Sequence, residues 1–438
     1  MESKYYLPGI EIIKKIRKLG FESYFVGGYV RDMLLNKITA NTEIDISTNA
    51  TPEQLRKIFP KAKEVGKIFG VTLIIYEGLK FEIATFRKDI SYSDGRRPSE
   101  VKFSDIREDS LRRDITINSI YLDPLNGEFI NLVGGKEDLK KKHIKFIGKS
   151  ENRIEEDYLR ILRTVRFKNK LDFQYSDETK KALKKFAYLS KEISPERINE
   201  ELTKILIDKN RSKAFLDLYN FGILKHILPE IDKMVQVDQP KNVHAEGNVF
   251  THTMLVLNSA RRIKNKKILW SLLLHDVGKP ATLIVTDRIR FPKHQKVGVD
   301  IGKTILKRLK FSQKEQTKIC WLIEHHMMLP DILLMKPNRR NRFFSHPWFK
   351  DLIKVFKSDV SGCRPFNLDL YNEVLNLYLS FKKEKKPVIK KLLTGDDVMK
   401  ILKIGPGPKV GEVLKEIDEM YLEGKINSRE EALSHLMA

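Results

Sequence analysis

Two carboxylates that follow a glycine pair are the residues of this chain best suited to phosphate chemistry. Gly27 and Gly28 come after an apolar run, and Glu43 and Asp45 lie further along on a segment of strand character. Side chains at i and i+2 share one face of a strand, so the two carboxylates are expected to hold a divalent cation together. Glycines let the backbone approach a phosphate closely. The pattern indicates metal-dependent phosphoryl or nucleotidyl transfer.

Further charged groups can complete such a site. Glu82 stands between apolar residues of a second strand-like run, where a third acidic metal group and an ordinary solvated side chain are equally good interpretations. In the segment 111–119 (LRRDITINS), Arg112 and Arg113 can bind phosphate bidentately, and Asp114 can accept hydrogen bonds from ribose hydroxyls. An ordinary surface cluster of ion pairs is the alternative for this segment.

A helical segment at 153–167 presents charged side chains beside its apolar face. Glu156, Asp157, Arg160 and Arg163 lie at i, i+1, i+4 and i+7. As a surface ion pair, Glu156 and Arg160 would stabilise the helix by only about 0.3–0.5 kcal/mol. Fixed on one rigid helix, however, a carboxylate and a guanidinium can present hydrogen-bonding edges to a nucleotide base.

A second set of chemically capable residues combines imidazoles with carboxylates. The sequence HDVGKP (275–280) places a histidine and an aspartate side by side at the end of the apolar helix Ile268–Leu274. The whole set consists of His252, His275, Asp276, His294, His325 and Asp359. A lone histidine is usually a core or surface residue, but several imidazoles and carboxylates around a His-Asp doublet favour a site for a transition metal or magnesium.

The charge of the chain indicates a polyanionic partner. Its 438 residues include 82 Lys and Arg against 58 Asp and Glu, which gives a formal net charge of +24. The basic residues are spread along the chain and do not form one amphipathic segment. This distribution favours nucleic acid over a membrane surface.

Signals for export or membrane insertion are not evident in the sequence. No apolar run approaches the roughly 20 residues that span a bilayer, and residues 1–20 lack a signal-peptide core. The two cysteines, Cys320 and Cys363, cannot build a disulfide framework. We therefore expect a protein of the reducing cytoplasm that does not bind membranes.

The elements that must position the carboxylates mix helices and strands up to about residue 135. Apolar spacing predicts a helix over Ile10–Leu19, and Thr51 and Pro52, as an N-cap and first turn, predict another over Glu53–Phe59. The β-rich runs Val71–Tyr76 and Phe81–Phe86 indicate a hairpin. The polar segment Lys88–Ser99 lacks apolar periodicity and is expected to be a mobile basic loop or a solvated connector.

Four motifs, taken in order, carry a family resemblance. VGGYVRDMLL with EID, LRRDITINS, EEDYLRILRTVRF and SPERINEEL follow one another from Val26 to Leu202. Together they resemble the class II tRNA nucleotidyltransferases, which are the CCA-adding enzymes and their bacterial poly(A) polymerase relatives, over essentially the whole chain. The resemblance implies an α+β fold, with a small mixed nucleotidyltransferase sheet and helices at the N-terminus and a mostly α-helical RNA-binding and HD region after it.

The resemblance also implies a role for each residue of the motifs. Glu43 and Asp45 would hold catalytic Mg²⁺, and Glu82 is the candidate third acidic group. The nucleotide phosphates and ribose are expected at Gly27, Gly28, Arg31, Asp32, Arg113, Asp114 and Asn118, and the incoming cytosine or adenine at a protein template of Glu156, Asp157 and Arg160 that Arg163 supports.

The histidine and aspartate set resembles the HD phosphohydrolase domain. The resemblance implies core metal ligands at His252, His275, Asp276 and Asp359 and accessory ligands at His294 and His325, with the adjacent His326 competing for the accessory role. A divalent transition metal and phosphodiesterase or phosphatase action on nucleotides or RNA ends are implied, although many similar domains have lost activity.

Four domains follow from these resemblances. They are a nucleotidyltransferase head domain (1–140), a helical neck with the nucleotide-template and RNA-binding helices (141–240), an HD domain (241–365) and a helical tail (366–438) that contacts tRNA.

The expected function is template-independent addition of CCA to tRNA 3′ ends from CTP and ATP. Alternatives within the family are a poly(A) polymerase and an enzyme that adds only CC or only A. A non-catalytic RNA-binding protein is a further alternative, because Glu43 stands where the family normally has aspartate. A bifunctional alarmone synthetase and hydrolase joins similar domains, but in the reverse order.

Overall fold

The computed structural model describes residues 3–64, 70–92, 98–240, 244–383 and 391–437. The chain divides into two compact units, Met1–Pro229 (unit 1) and Glu230–Ala438 (unit 2). Unit 1 combines a mixed sheet with helices, whereas the described part of unit 2 is helical apart from one short two-stranded ribbon. The predicted α+β class is confirmed. No helix among these residues is long and apolar enough to cross a membrane.

The strands of unit 1 build one central sheet and two small ribbons. They are β1 (Ser23–Val26), β2 (Asp45–Thr48), β3 (Lys63–Glu64), β4 (Val71–Tyr76), β5 (Leu79–Thr85), β6 (Arg87–Tyr92), β7 (Pro98–Phe103), β8 (Tyr121–Leu122), β9 (Phe129–Ile130), β10 (His143–Ile144) and β11 (Gln174–Tyr175). Seven of them form the sheet in the order β3-β4-β5-β2-β1-β8-β9. The central strand β2 pairs antiparallel with β1 and parallel with β5.

The helices of unit 1 surround this sheet and then continue as a helical region. They are α1 (Tyr6–Arg17), α2 (Gly28–Leu34), α3 (Pro52–Ile58), α4 (Ile106–Leu111), α5 (Gly135–Lys141), α6 (Ser150–Glu156), α7 (Leu159–Leu171), α8 (Asp177–Lys185), α9 (Pro195–Ile207), α10 (Arg211–Asn220) and α11 (Leu224–Ile227), with 3₁₀ turns at Thr116–Asn118 and Ala187–Glu192. Helix α12 (Pro229–Asp232) lies at the division between the units.

Unit 2 is almost entirely helical in its described part. Its helices are α13 (Val249–Ser259), α14 (Lys266–Leu274), α15 (Lys279–Thr282), α16 (His294–Arg308), α17 (Gln313–His325), α18 (Pro337–Phe344), α19 (Phe349–Gly362), α20 (Asp369–Lys383), α21 (Gly395–Leu402), α22 (Pro408–Leu422) and α23 (Arg429–Met437), with 3₁₀ turns at Lys233–Gln236 and Pro330–Leu334 and a ribbon of β12 (Ile284–Val285) and β13 (Ile289–Arg290). Three of these helices, α13, α17 and α19, pack on the largely apolar helix α14. Every residue from 268 to 274 is buried, which explains why the sequence there is apolar apart from Ser271, whose hydroxyl donates to the carbonyl of Ile268.

Local sequence chemistry explains the elements that were predicted well. The side chain of Thr51 accepts a hydrogen bond from the backbone N–H of Gln54, whose side chain accepts one from Thr51 N–H, and this capping box starts α3. The β4–β5 hairpin turns at Glu77 and Gly78, both with positive φ (50° and 75°), as a two-residue turn of type I′ requires.

Three local expectations were wrong. Glu43 does not lie on a strand, because β2 begins only at Asp45. The segment 153–167 is not one rigid helix, since Asp157 is extended (φ −148°, ψ 104°) between α6 and α7. The polar segment Lys88–Ser99 is largely an antiparallel ribbon of β6 and β7, because cross-strand hydrogen bonds do not need apolar periodicity. Its residues 93–97 lie outside the described part of the chain.

Candidate active site and metal centre

A cavity of about 730 Å³ in unit 1 gathers most of the residues that were predicted to bind the nucleotide. Those that line it are Gly27, Gly28, Arg31, Asp32, Glu43, Asp45, Arg113, Asp114, Asn118, Asp157, Arg160 and Arg163. Glu82 and Glu156 are not among its lining residues. Glu82 lies beside Asp45 in the parallel register of β2 and β5 and shares an adjoining cavity with it, and Glu156 contacts Arg160.

Asp45 is held at the first position of the central strand, with its carboxylate facing the cavity. Its backbone pairs with Val26 on one side and Glu82 on the other. Burial by the surrounding protein raises the pKa of Asp45 to about 6; Arg113 opposes this shift, and the carboxylates of Glu82 and Glu43 add to it. Acidic groups that repel one another in this way gain stability from a cation bound between them.

The glycine turn is shaped to leave room for that carboxylate. Gly27 has a φ of +77°, a conformation that residues with side chains rarely adopt. A Cβ atom at this position would lie 3.2 Å from Oδ2 of Asp45. A side chain here would therefore strain the turn and crowd the carboxylate, which explains why the position is glycine.

Arg31 joins several predicted residues behind the glycine turn. Its side chain is only 2% exposed, its Nε and Nη2 donate to Oδ1 of Asp32, and its Nη1 donates to Oδ1 of Asn118 at 2.6 Å. Asn118 in turn lies 3.4 Å from Asp114. The predicted residues of this group thus form one connected hydrogen-bond network at the cavity wall.

Two arginine-carboxylate pairs fix the LRRDITINS segment. Arg113 donates to Asp109, to the hydroxyl of Tyr121 and to Ser47 of β2, so it connects the segment to the sheet. Asp114 accepts two hydrogen bonds from Arg163 through Oδ2, at 2.9 and 2.7 Å. Although burial favours the neutral acid, the Arg163 guanidinium and a backbone N–H lower the pKa of Asp114 to about 2.

The predicted template residues lie around the break between α6 and α7. Glu156, at the end of α6, accepts a 2.5 Å hydrogen bond from Nη1 of Arg160, and Nη2 of Arg160 donates to the carbonyl of Arg112. Asp157 accepts a hydrogen bond from Leu159 N–H through Oδ1 and from Arg197 of α9 through Oδ2. Both base-reading candidates, Asp157 and Arg160, are therefore held in place by protein contacts before any nucleotide binds.

Sequence reasoning missed several residues of this cavity. Nine cationic side chains line it against five acidic ones, and the cations that were not predicted are Arg87, Arg166, Lys170 and Lys204. Arg112, which was expected to bind phosphate, also lines the cavity. Arg197, which holds Asp157, and Glu201, which binds Arg166 at 2.6 Å, are a further pair that was missed. The i, i+4 spacing of these two on an amphipathic helix was the available signal. The excess of cations suits a polyphosphate.

In unit 2, the predicted histidine and aspartate residues meet in the interior. His252, His275 and Asp359 form one group of candidate ligands, and Asp276, His294 and His326 form another, each with ligand atoms within 4.8 Å of one another. We call these six residues the HD centre. Asp276 lies between the two groups, with Oδ2 3.2 Å from His275 Nε2 and Oδ1 3.4 Å from His294 Nε2.

The HD centre is buried and electrostatically balanced. The side chains of His252 and His275 are at most 1% exposed. Burial alone would raise the pKa values of Asp276 and Asp359. Instead, His275 and Lys279 hold the pKa of Asp276 well below its usual range, and His252 and His275 do the same for the pKa of Asp359. Converging imidazole nitrogens and carboxylate oxygens are a donor set that fits a divalent transition metal.

The expectation for His325 was wrong, and His326 takes its place. His325 is the last residue of α17, and its ring stacks on Trp321 at a centroid distance of 4.4 Å, outside both ligand groups. His326 is fully buried, and its Nε2 lies 3.4 Å from that of His294. Successive helical residues point about 100° apart, so only one of two adjacent histidines can face the centre.

The sheet, the cavity and the following helices define a nucleotidyltransferase of the poly(A) polymerase type. Residues 23–145 match the family described as Poly A polymerase head domain, and residues 172–235 match the probable RNA and SrmB-binding site of polymerase A. Residues 249–345 match the HD domain.

Whole-length relatives give the narrower family. The CCA-adding enzyme of Enterococcus faecalis is 30% identical over 433 residues, covering 96% of this chain and 93% of the relative. That of Ligilactobacillus salivarius is 30% identical over 429 residues, covering 97% and 94%. The chain belongs to the family of CCA-adding enzymes.

Solved structures show the same fold. The Bacillus stearothermophilus CCA-adding enzyme in complex with CTP has a TM-score of 0.76 at 24% identity and covers 100% of this chain and 98% of that one. The Thermotoga maritima CCA-adding enzyme complexed with tRNA has a TM-score of 0.57 at 22% identity, with 100% and 96% covered. The fold of this chain is therefore that of these enzymes.

Proposed function

We propose that this protein adds CCA to the 3′ ends of tRNA from CTP and ATP without a nucleic-acid template. The observation that carries the proposal is one cavity of nucleotide size that exposes the carboxylates of Glu43 and Asp45 together with the base-reading candidates Asp157 and Arg160. Membership of the CCA-adding family supports the same reaction. We place the reaction in the cytoplasm.

Mg²⁺ is the ion that we propose for the carboxylates of Glu43, Asp45 and Glu82. Their oxygens are hard ligands, and the pKa of Asp45 is raised first by burial and then by the neighbouring carboxylates of Glu82 and Glu43, a setting that fits a cation. When bound, such an ion activates the attacking hydroxyl and stabilises charge on the phosphates. The cationic side chains of the cavity, such as Arg87 and Lys170, would bind the triphosphate and the leaving pyrophosphate.

The template role that we propose for Asp157 and Arg160 rests on how they are held. A carboxylate accepts and a guanidinium donates, so together they can match the edge of cytosine or adenine. Glu156 and the carbonyl of Arg112 fix the Arg160 guanidinium, and Arg197 fixes Asp157. Because Asp157 lies in the break between α6 and α7 and Arg160 lies on α7 after it, a small change of the backbone at that break would change the distance between the two groups that face a base.

The test is the product formed on a tRNA that ends at the discriminator base. With CTP alone we expect two added cytidines, with ATP alone no addition, and with both a single CCA end, all read by end sequencing. A long adenosine tail would indicate a poly(A) polymerase, and a product that stops at CC or requires a CC end would indicate a partial enzyme. No metal-dependent incorporation at all would indicate a non-catalytic RNA-binding protein.

A second function is proposed for unit 2 because of the HD centre. Six imidazole and carboxylate side chains converge there, all buried except the partly exposed Asp359, and a cavity of about 700 Å³ opens beside Asp276, His294 and Asp359. We propose that the HD centre holds a divalent transition metal and that unit 2 hydrolyses phosphate esters there. Release of phosphate from nucleotide or RNA-end substrates, lost in His275→Ala but kept in Asp45→Ala, would test this activity separately from nucleotide addition.

A further inference from the structure

The histidines of the HD centre differ in how their second ring nitrogen is held. Three of them use a backbone carbonyl three residues earlier: Nδ1 of His275 donates to Leu272 O (2.8 Å), that of His294 to Phe291 O (3.1 Å) and that of His326 to Ile323 O (2.6 Å). A carbonyl only accepts, so it keeps the proton on Nδ1 and leaves the Nε2 lone pair for a metal.

His252 is held by a carboxylate instead. Its Nδ1 lies 2.8 Å from Oε1 of Glu246, while its Nε2 lies 3.0 Å from Oδ1 of Asp359. A carboxylate is a stronger acceptor than a carbonyl, and it fixes both the tautomer and the orientation of the ring. Glu246 was not among the residues that the sequence pointed to.

Glu246 also connects segments that are far apart in sequence. The same Oε1 accepts a hydrogen bond from Nδ1 of His244 at 2.7 Å, and Oε2 accepts one from the backbone N–H of Arg364 at 2.9 Å. Arg364 follows the end of α19, the helix that carries Asp359. The Glu246 side chain is only 2% exposed, so water competes little for these contacts. The Glu246 carboxylate thus connects His252 on α13 with the backbone just after α19, the helix that carries Asp359.

We propose that Glu246 is a positioning residue of the HD centre, which holds the Nδ1–H tautomer and the ring orientation of His252 and so strengthens the binding of a divalent metal ion. The inference rests on the proposed metal-binding role of the centre. Glu246 touches neither Asp276 nor Asp359 in the contacts that the structure describes, and its effect passes through His252 and Arg364.

The experiment is a titration of the full chain with Co²⁺, monitored by the visible absorption of cobalt bound to imidazole. All variants also carry Asp45→Ala, which removes a central carboxylate of the candidate metal site in unit 1. Glu246→Gln and Glu246→Ala should each weaken Co²⁺ binding about 10–100-fold, which is the usual effect of losing an outer partner of a ligating histidine. Glu246→Gln keeps the shape, but its amide cannot accept from both His252 and Arg364. The exposed Glu412→Gln, which removes the same charge, should leave the affinity unchanged.

A second readout is independent of metal. In metal-free protein labelled with ¹⁵N at histidine, the hydrogen-bonded Nδ1–H of His252 should give a far-downfield proton resonance that disappears in Glu246→Ala. Unchanged cobalt affinity in both Glu246 variants, or an equal loss in Glu412→Gln, would overturn the proposal. If the parent protein bound no cobalt, the proposed metal-binding role of the HD centre would be wrong. Loss of the His252 resonance in Glu246→Ala would in that case still show that Glu246 positions His252. Persistence of the resonance in that variant would refute the positioning role as well.

Discussion

The two candidate sites of this protein hold their charged groups in opposite ways. In unit 1, Asp45 and Glu43 face an open cavity in which arginines and lysines outnumber carboxylates. In unit 2, imidazoles at most 1% exposed, such as His252 and His275, surround Asp276 in the interior. Exposed oxygen ligands suit a hard ion that keeps water and meets a new substrate in each cycle, whereas buried nitrogen and oxygen ligands suit a resident transition metal.

The comparison also shows two ways of holding a functional side chain. Around the cavity, long side chains from distant segments form ion pairs, as Arg163 does with Asp114 and Arg197 does with Asp157. In the HD centre, three of four histidines are fixed by carbonyls of their own turn. The cavity geometry therefore depends on contacts between elements, and the centre depends more on local helix geometry.

The largest effect is expected for Asp45→Ala. Loss of the carboxylate that faces both Glu43 and Glu82 should lower kcat/KM for CTP addition by about 10³-fold, equivalent to about 4 kcal/mol. Phosphate-ester hydrolysis by unit 2 should not change if the two sites act separately. Asp300→Ala, at a side chain 81% exposed on α16, is the control and should keep full incorporation. A loss below tenfold in Asp45→Ala would contradict the assignment.

Whether His325 lies outside the HD centre can be tested by metal content. His275→Ala should weaken Co²⁺ binding by more than about 100-fold, because a core nitrogen ligand is lost and the carboxylates around it are left buried. His325→Ala should change the affinity by less than threefold, since its ring packs on Trp321 outside the centre. Equilibrium dialysis with elemental analysis gives both values. Equal effects of the two substitutions would show that the centre is assembled differently.

A smaller effect is expected at the helix break of the template. Glu156→Ala removes the acceptor that orients Arg160, so kcat/KM for CTP should fall by about 10–100-fold, and discrimination against UTP should weaken. Glu11→Ala, which removes an exposed pair with Lys14 on α1, should leave both quantities unchanged. Competition between labelled CTP and UTP measures the discrimination. Unchanged selectivity in Glu156→Ala would mean that Arg160 needs no such support.

The smallest effect is a pH dependence of stability at Asp114. Its pKa falls from 3.8 to about 2 on folding, so the unfolded chain binds more protons between these values. The resulting stability is present above about pH 4 and is lost as the pH falls towards 2, and it amounts to about 2 kcal/mol. Asp114→Asn should therefore be less stable than the parent at pH 6, and the gap should narrow by pH 3. Urea unfolding of both proteins at each pH measures the difference between their free energies of unfolding. A difference that does not change with pH would contradict the predicted contribution of Asp114.

Short-range chemistry explains what could be predicted from the sequence. The helix N-cap at Thr51, the hairpin of β4 and β5 and the apolar helix before His275 each depend on neighbouring residues, and each was found where expected. The ordered motifs also identified twelve residues that line one cavity. Residue type and spacing decide such features, because they set local backbone geometry and the available chemistry.

The errors have physical reasons that lie beyond local spacing. Periodicity suggested one helix at 153–167, but the side chain of Asp157 accepts the Leu159 N–H and the backbone opens there. An apolar pattern does not indicate a polar ribbon such as that of β6 and β7, because backbone hydrogen bonds between the two strands stabilise it. Nor can it decide which of His325 and His326 faces inward, since that depends on how α17 is rotated against its neighbours.

The sequence by itself determined which chemically capable groups this protein carries: a carboxylate pair after a glycine turn, an aspartate and an arginine that are candidates for reading a nucleotide base, a His-Asp doublet and a strongly basic charge. Only the tertiary structure decided which groups meet. Arg197 binds Asp157 from 40 residues away, and Glu246 binds the Arg364 backbone from 118 residues away. Such contacts depend on how separate elements pack, and no local periodicity encodes that packing.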